Sequence, residues 1–128
     1  MIINYNDIIK NCKIEYKKWG SEAIITNNDE YCAKILKFNE KNSKFSMHYH
    51  LLKHETWLIV KGKFRLRRIN TENADTFHSI LYVGDIVTIE RNNIHQLVAL
   101  EENSIVFEVS TPHFDSDSYR IEKGDNQK

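Results

Sequence analysis

The chain has 128 residues, with 18 basic and 18 acidic side chains and a formal net charge of zero. That balance excludes any broad electrostatic attraction to nucleic acid or to an anionic membrane. The length suits one domain with one core, 1–128, and two cysteines, Cys12 and Cys32, are too few for a disulfide framework. No apolar run approaches the roughly 20 residues of a membrane-spanning helix. Residues 1–7 lack the basic-then-apolar pattern of a signal peptide, so a cytoplasmic location is expected.

Residues 1–18 alternate irregularly and suit a short helix or an edge strand. Lys18-Trp19-Gly20-Ser21 reads as a tryptophan capping the core beside a turn glycine. From Tyr31 onward the pattern changes to short strand-like runs, predicted at 31–38, 44–50, 55–61, 63–69, 76–82, 85–90, 94–100 and 104–110. Polar separators such as 39–42, 70–73, 91–93 and 101–103 divide them. Eight short strands without a long helical period argue for an antiparallel sandwich or barrel. The single proline, Pro112, follows the last run and interrupts no ladder. The barrel core is expected at about 18–113, with a polar tail, 114–128, lying over the surface or fraying.

Four side chains stand out chemically. His48 and His50 are two apart in a strand, so they project from one face together with Ser46, while Met47 and Tyr49 point the other way. Residues 51–54 can serve as a reversal, after which Glu55 shares a face with Trp57 and Ile59. Gly62 supplies backbone freedom for the next turn. Far downstream, His95 opens a strand whose face also holds Leu97 and Ala99. Three imidazoles and one carboxylate suit a divalent Zn, Mn, Fe, Ni or Co ion and leave positions open for water or substrate. His54 falls on the opposite face from Glu55 and reads as a bystander, and His78 as a solvated strand residue.

These spacings resemble the two cupin motifs. Residues 42–62 match Gly-x5-His-x-His-x(3–4)-Glu-x6-Gly at His48, His50, Glu55 and Gly62; residues 84–99 match Gly-x5-Pro-x-Gly-x2-His-x3-Asn at Gly84 and His95. The resemblance covers about 18–122. It implies an all-β jelly-roll barrel (an antiparallel double-stranded β-helix) with a short N-terminal segment and an extended C-terminal tail, and one divalent metal held by His48, His50, Glu55 and His95. Asn42 and Asn92 replace two motif glycines; asparagine is the non-glycine residue that best tolerates left-handed backbone, so both turns are expected to survive. Glu90 replaces the motif proline and Ala99 the final asparagine.

A finer resemblance is to type II phosphomannose isomerase-like cupins, carried by residues 18–21, 31–36, 46–57, 108–111 and 119–122. Lys18 stands where those proteins have proline, His48 where many have glutamine, and the tail runs Lys123-Gly124-Asp125 where theirs reads Tyr-Gly-Arg. The resemblance implies a metal-dependent aldose–ketose isomerase or related enzyme acting on a small molecule such as a sugar phosphate. Glu90, Glu108 and His113 are candidates for the base that carries the proton. Lys34, Arg65, Arg67 and Arg120 are candidates for holding the substrate. Rival expectations are an Fe(II) dioxygenase or metal-dependent lyase on a small acid, and a non-catalytic module binding a sugar or acid. A homodimer is expected, since cupin barrels pair through sheet edges and the N-terminal segment can supply a swapped strand.

Overall fold

A computed structural model describes residues 4–125. Among the described residues there are α1 (Tyr5–Ile8) and eleven strands: β1 (Lys13–Lys17), β2 (Gly20–Asn27), β3 (Cys32–Phe38), β4 (Met47–Tyr49), β5 (Glu55–Lys61), β6 (Lys63–Ile69), β7 (Thr76–Tyr82), β8 (Ile86–Ile89), β9 (Ile94–Ala99), β10 (Ser104–Ser110) and β11 (Tyr119–Glu122). They build two antiparallel sheets, ordered β1-β2-β3-β10-β5-β8 and β11-β4-β9-β6-β7. This is the expected jelly-roll barrel.

Alternation along the central strands decides what faces inward. In β3, Cys32, Lys34, Leu36 and Phe38 are buried and their neighbours are less so; in β5, Glu55, Trp57 and Ile59 are buried. At one end of the barrel the inward rows are apolar. Trp19 stacks on Phe38 with centroids 4.6 Å apart, and Phe38 meets Phe64 edge-on at 5.1 Å. Leu66, Leu97, Ala99 and Val106 complete this core, each fully buried large side chain contributing about 1.5–3 kcal/mol. Moving along the same rows toward the other end, the inward residues become Lys34, Glu55, His95 and Glu108. The polar end is where the functional groups collect.

Three positions make the turns possible. Asn42 and Asn92 have φ of 73° and 69°, so both asparagines adopt the left-handed backbone expected of them. Gly62, at φ 81°, connects β5 to β6, and a Cβ there would lie 2.0 Å from Ser104 Oγ.

The N-terminal segment contains both expected alternatives, helix α1 and edge strand β1. β1 pairs with β2 of its own chain, Ile14 opposite Ala23. β2 was not expected, because its buried positions are filled by Ser21 and Ala23, which carry little hydrophobic signal. The tail is a correction. Residues 114–125 neither fray nor merely cover the surface: β11 pairs with β4, and Asp117 is buried at 4% exposure. All four residues of β11 are exposed, and although Tyr119 and Ile121 alternate with Arg120 and Glu122, a run of four is too short to mark a strand by its pattern.

Candidate metal centre

Strand register assembles the histidines. His48 on β4 lies directly opposite His95 on β9, and His50 follows at the end of β4 on the same face. The ring centroids of His48 are 4.6 Å from His95 and 4.8 Å from His50. Each ring is oriented by a main-chain carbonyl: Nδ1 of His48 bonds Ser46 O at 2.7 Å, Nδ1 of His50 bonds Asp117 O at 2.9 Å, and Nδ1 of His95 bonds Asn93 O at 2.9 Å. A carbonyl oxygen only accepts, so each Nδ1 carries the proton and each Nε2 presents a lone pair. Ligand atoms of the three rings all lie within 4.8 Å of one another, and Nε2 of His48 is 3.2 Å from Nε2 of His50.

Two converging lone pairs repel unless a cation or a proton lies between them. The proton is disfavoured here. Burial, together with the neighbouring imidazoles, holds His48 well below its ordinary range. Burial and the Lys53 charge bring His50 to about 4, and burial brings His95 to about 3. His95 Nε2 is buried without a hydrogen-bond partner. This donor set fits a divalent metal.

Glu55 stands beside the histidines. Trp57 Nε1 donates to its Oε1 at 2.7 Å, which leaves Oε2 buried without a hydrogen bond and 3.5 Å from His50 Nε2. Burial pushes this carboxyl up to about 8, with Lys53 pulling against the rise. A cation held by the histidines would favour the carboxylate form of Glu55.

The opposite wall of the cavity is charged. Lys53 Nζ pairs with Glu108 Oε2 at 2.8 Å, and Lys34 Nζ with Glu22 Oε1 at 2.9 Å. Burial alone would raise Glu108, but Lys53 and then Lys34 outweigh it and bring the carboxyl down to about 2. His113 Nε2 donates to Asp115 Oδ1 at 3.0 Å, and its Nδ1 lies 3.5 Å from Lys53 Nζ. Burial, with Lys53 next, lowers His113 as well, so it is neutral near pH 7. Together these groups enclose about 360 Å³, open to solvent past Asp115, Ser118 and Arg120.

The expected site residues divide cleanly. His48, His50, Glu55 and His95 come together, and Lys34, Glu108 and His113 line the same cavity, with Arg120 exposed at its rim. Three do not join them. Glu90 is exposed in the turn after β8, because it lies one position beyond the inward-facing Ile89 that ends the strand. Arg65 and Arg67 alternate with buried Phe64 and Leu66, which puts both on the outside of β6. Arg67 there bonds Gln96 Oε1 at 2.5 Å and pairs with Glu122 at 3.5 Å. His54 and His78 lie outside the cavity, as expected.

Sequence reasoning missed Lys53 and Asp117. Lys53 had a signal, since it is two before Glu55 and alternation alone places it on the inward face. Asp117 had none.

A family model described as Cupin matches residues 3–120. No curated protein matches the chain. Among solved structures, CapF with the inhibitor 3-isopropenyl-tropolone is similar at 18% identity, covering 87% of this chain and 34% of that one, with a TM-score of 0.76. Oxalate decarboxylase from Bacillus subtilis at pH 4.6 is similar at 14% identity, 88% and 31% coverage, and a TM-score of 0.76. The capsular polysaccharide assembling protein CapF from Staphylococcus aureus gives 17% identity, 87% and 32% coverage, and 0.74. At these identities the likeness is one of fold, and the chain spans about a third of each of those proteins.

Proposed function

The chain belongs to the cupin family, and from that premise we propose that it is a metal-dependent enzyme acting on a small, oxygen-rich substrate. The observation that carries this is the meeting of three neutral, carbonyl-oriented imidazoles whose Nε2 lone pairs converge within 4.8 Å. His48, His50 and His95 would hold the ion, with Glu55 Oε2 as the fourth ligand. A divalent ion bound there supplies Lewis-acid stabilisation of charge developing on a substrate oxygen.

The reaction we favour is aldose–ketose isomerisation of a sugar phosphate. The segments that resemble phosphomannose isomerase-like cupins contribute Trp19, Lys34, His48, Glu108 and Arg120 to one cavity, which supports a shared use of them. Such a reaction moves a proton between adjacent carbons. His113 is the better carrier: it is neutral near pH 7 and its ring is oriented by Asp115, whereas Glu108 is held at about 2 and is a weak base. Lys34 and Arg120 line the cavity, which supports them as the groups that would hold the anionic end of the substrate.

The test is a turnover screen of sugar phosphates with protein loaded separately with Zn, Mn, Fe(II), Ni and Co. Isomerisation by any of these forms supports the assignment. Turnover of a small acid that requires Fe(II) and oxygen would replace it with a dioxygenase. Tight sugar-phosphate binding without any turnover would make the protein a binding module.

A further inference from the structure

We infer that the C-terminal segment is a clasp on the metal centre, with Asp117 as the positioning residue that couples clasp closure to metal loading. The inference rests on the metal-binding reading above and goes beyond it, since neither cupin metal motif, at 42–62 or 84–99, reaches this segment.

Asp117 acts on both sides of His50. Its main-chain carbonyl accepts the His50 Nδ1 hydrogen at 2.9 Å, which fixes the ring with Nε2 toward His48. Its carboxylate accepts from the next three main-chain N–H groups, Leu51 at 2.9 Å, Leu52 at 3.1 Å and Lys53 at 3.0 Å. Those bonds shape the loop that delivers Lys53 Nζ to Glu108 at 2.8 Å. A carboxylate at 4% exposure is costly unless its lone pairs are filled, and among the described residues no cation pairs with it. Every hydrogen bond its carboxylate accepts comes from the stretch immediately after a histidine of the site.

The rest of the segment tracks the same strand. Tyr119 and Arg120 pair with Tyr49 and His48, and the Tyr49 and Tyr119 rings stack at 5.2 Å. Beyond β11, Asp125 N–H donates to Lys44 O at 3.2 Å, and Lys44 N–H donates to Asp125 Oδ2 at 3.0 Å. Gly124 is needed for this approach, because a Cβ would lie 2.3 Å from the Phe45 carbonyl carbon. The clasp thus grips residues 44–53 from end to end and carries Asp115 and Arg120 to the cavity mouth. An ion that fixes His50 Nε2 favours the ring orientation that the Asp117 carbonyl requires, and by linkage the closed clasp must favour the ion equally.

The test uses Zn(II) alone. Zn(II) affinity is measured by competition with a chromophoric chelator for wild type, Asp117→Ala and Asp117→Asn, and amide hydrogen exchange is followed with and without Zn(II). We expect Asp117→Ala to weaken Zn(II) binding about 10–100-fold while its far-UV dichroism stays native, and Asp117→Asn, which keeps one acceptor oxygen, to recover part of the loss. In wild type, Zn(II) should slow exchange at Leu51, Leu52 and Lys53 and in β11. Wild-type affinity in folded Asp117→Ala, or exchange at these amides unchanged by Zn(II), would overturn the clasp even while the metal reading stands. If Asp117→Ala does not fold, Asp117→Asn and the wild-type exchange decide. A wild type without Zn(II) affinity sinks the metal reading itself, and the coupling with it.

Discussion

His48 Nε2 and His50 Nε2 face each other across 3.2 Å while both Nδ1–H groups are committed to main-chain carbonyls. Neither ring can turn to relieve the contact without losing its carbonyl bond. The β4–β9 register and the buried Glu55 beside the pair both suit a cation there.

Acidification of chelator-treated protein provides one check. The three site histidines have folded values lowered from 6.5, so the fold holds them neutral. Below pH 6.5 the unfolded chain takes up protons that the folded one refuses, and stability falls toward the folded values at about 4 and below. Glu55, raised to about 8, works in the opposite sense: its contribution is complete below about 4.5 and fades toward 8. Three groups outweigh one, so the melting temperature should drop by roughly 5 °C or more between pH 7 and pH 5. A melting temperature that rises over that interval contradicts the neutral, buried histidines.

Lys53 and Glu108 form a buried pair whose halves depend on each other. Lys53→Met leaves a carboxylate stranded and should cost about 3–5 kcal/mol in urea unfolding. The double variant Lys53→Met/Glu108→Gln should recover most of that loss, because no charge is left unpaired. Equal losses in the single and double variants would show that the pair is not coupled.

Turnover should separate the base candidates. On the substrate identified by the screen, His113→Asn should lower kcat by about 10²–10⁴-fold with metal content unchanged. Glu90→Gln, exposed and outside the cavity, should leave kcat at wild-type level. The reverse pattern would return the base to the turn after β8.

The homodimer is a proposal that now has a surface. Leu58 and Ile86 are register partners on the outside of their sheet and are 38% and 70% exposed, with Val60 beside them at 47%. Light scattering should give twice the chain mass of 15.2 kDa, and Ile86→Lys should return it to the single value. A wild-type mass of one chain would remove the dimer.

The barrel and its ligands were legible in the sequence because alternation is a strong signal wherever one face is apolar. β3, β5, β6 and β9 obey it, and the motif spacing around His48, His50, Glu55 and His95 depends on little else. The charged half of the cavity was harder to read. Lys34 and Lys53 occupy inward positions, yet a lysine in a strand pattern ordinarily marks the outside, and Lys53 falls in the stretch 51–54 that reads as a reversal rather than a strand. Arg65 and Arg67 show the converse: as candidates for holding substrate they have the right charge, but they alternate with buried Phe64 and Leu66 and so face outward. The clasp was illegible for a different reason. Asp117 is fixed by main-chain partners 64 to 67 residues away, and main-chain bonding leaves no trace in side-chain composition.

The most direct test of the account is metal analysis of purified wild type beside His95→Ala and Glu55→Ala. The site described here predicts about one divalent ion per wild-type chain, and little or none in His95→Ala. Glu55→Ala should retain a reduced fraction, because the three imidazoles remain. Equal metal in all three proteins, or none in wild type after reconstitution, would contradict it.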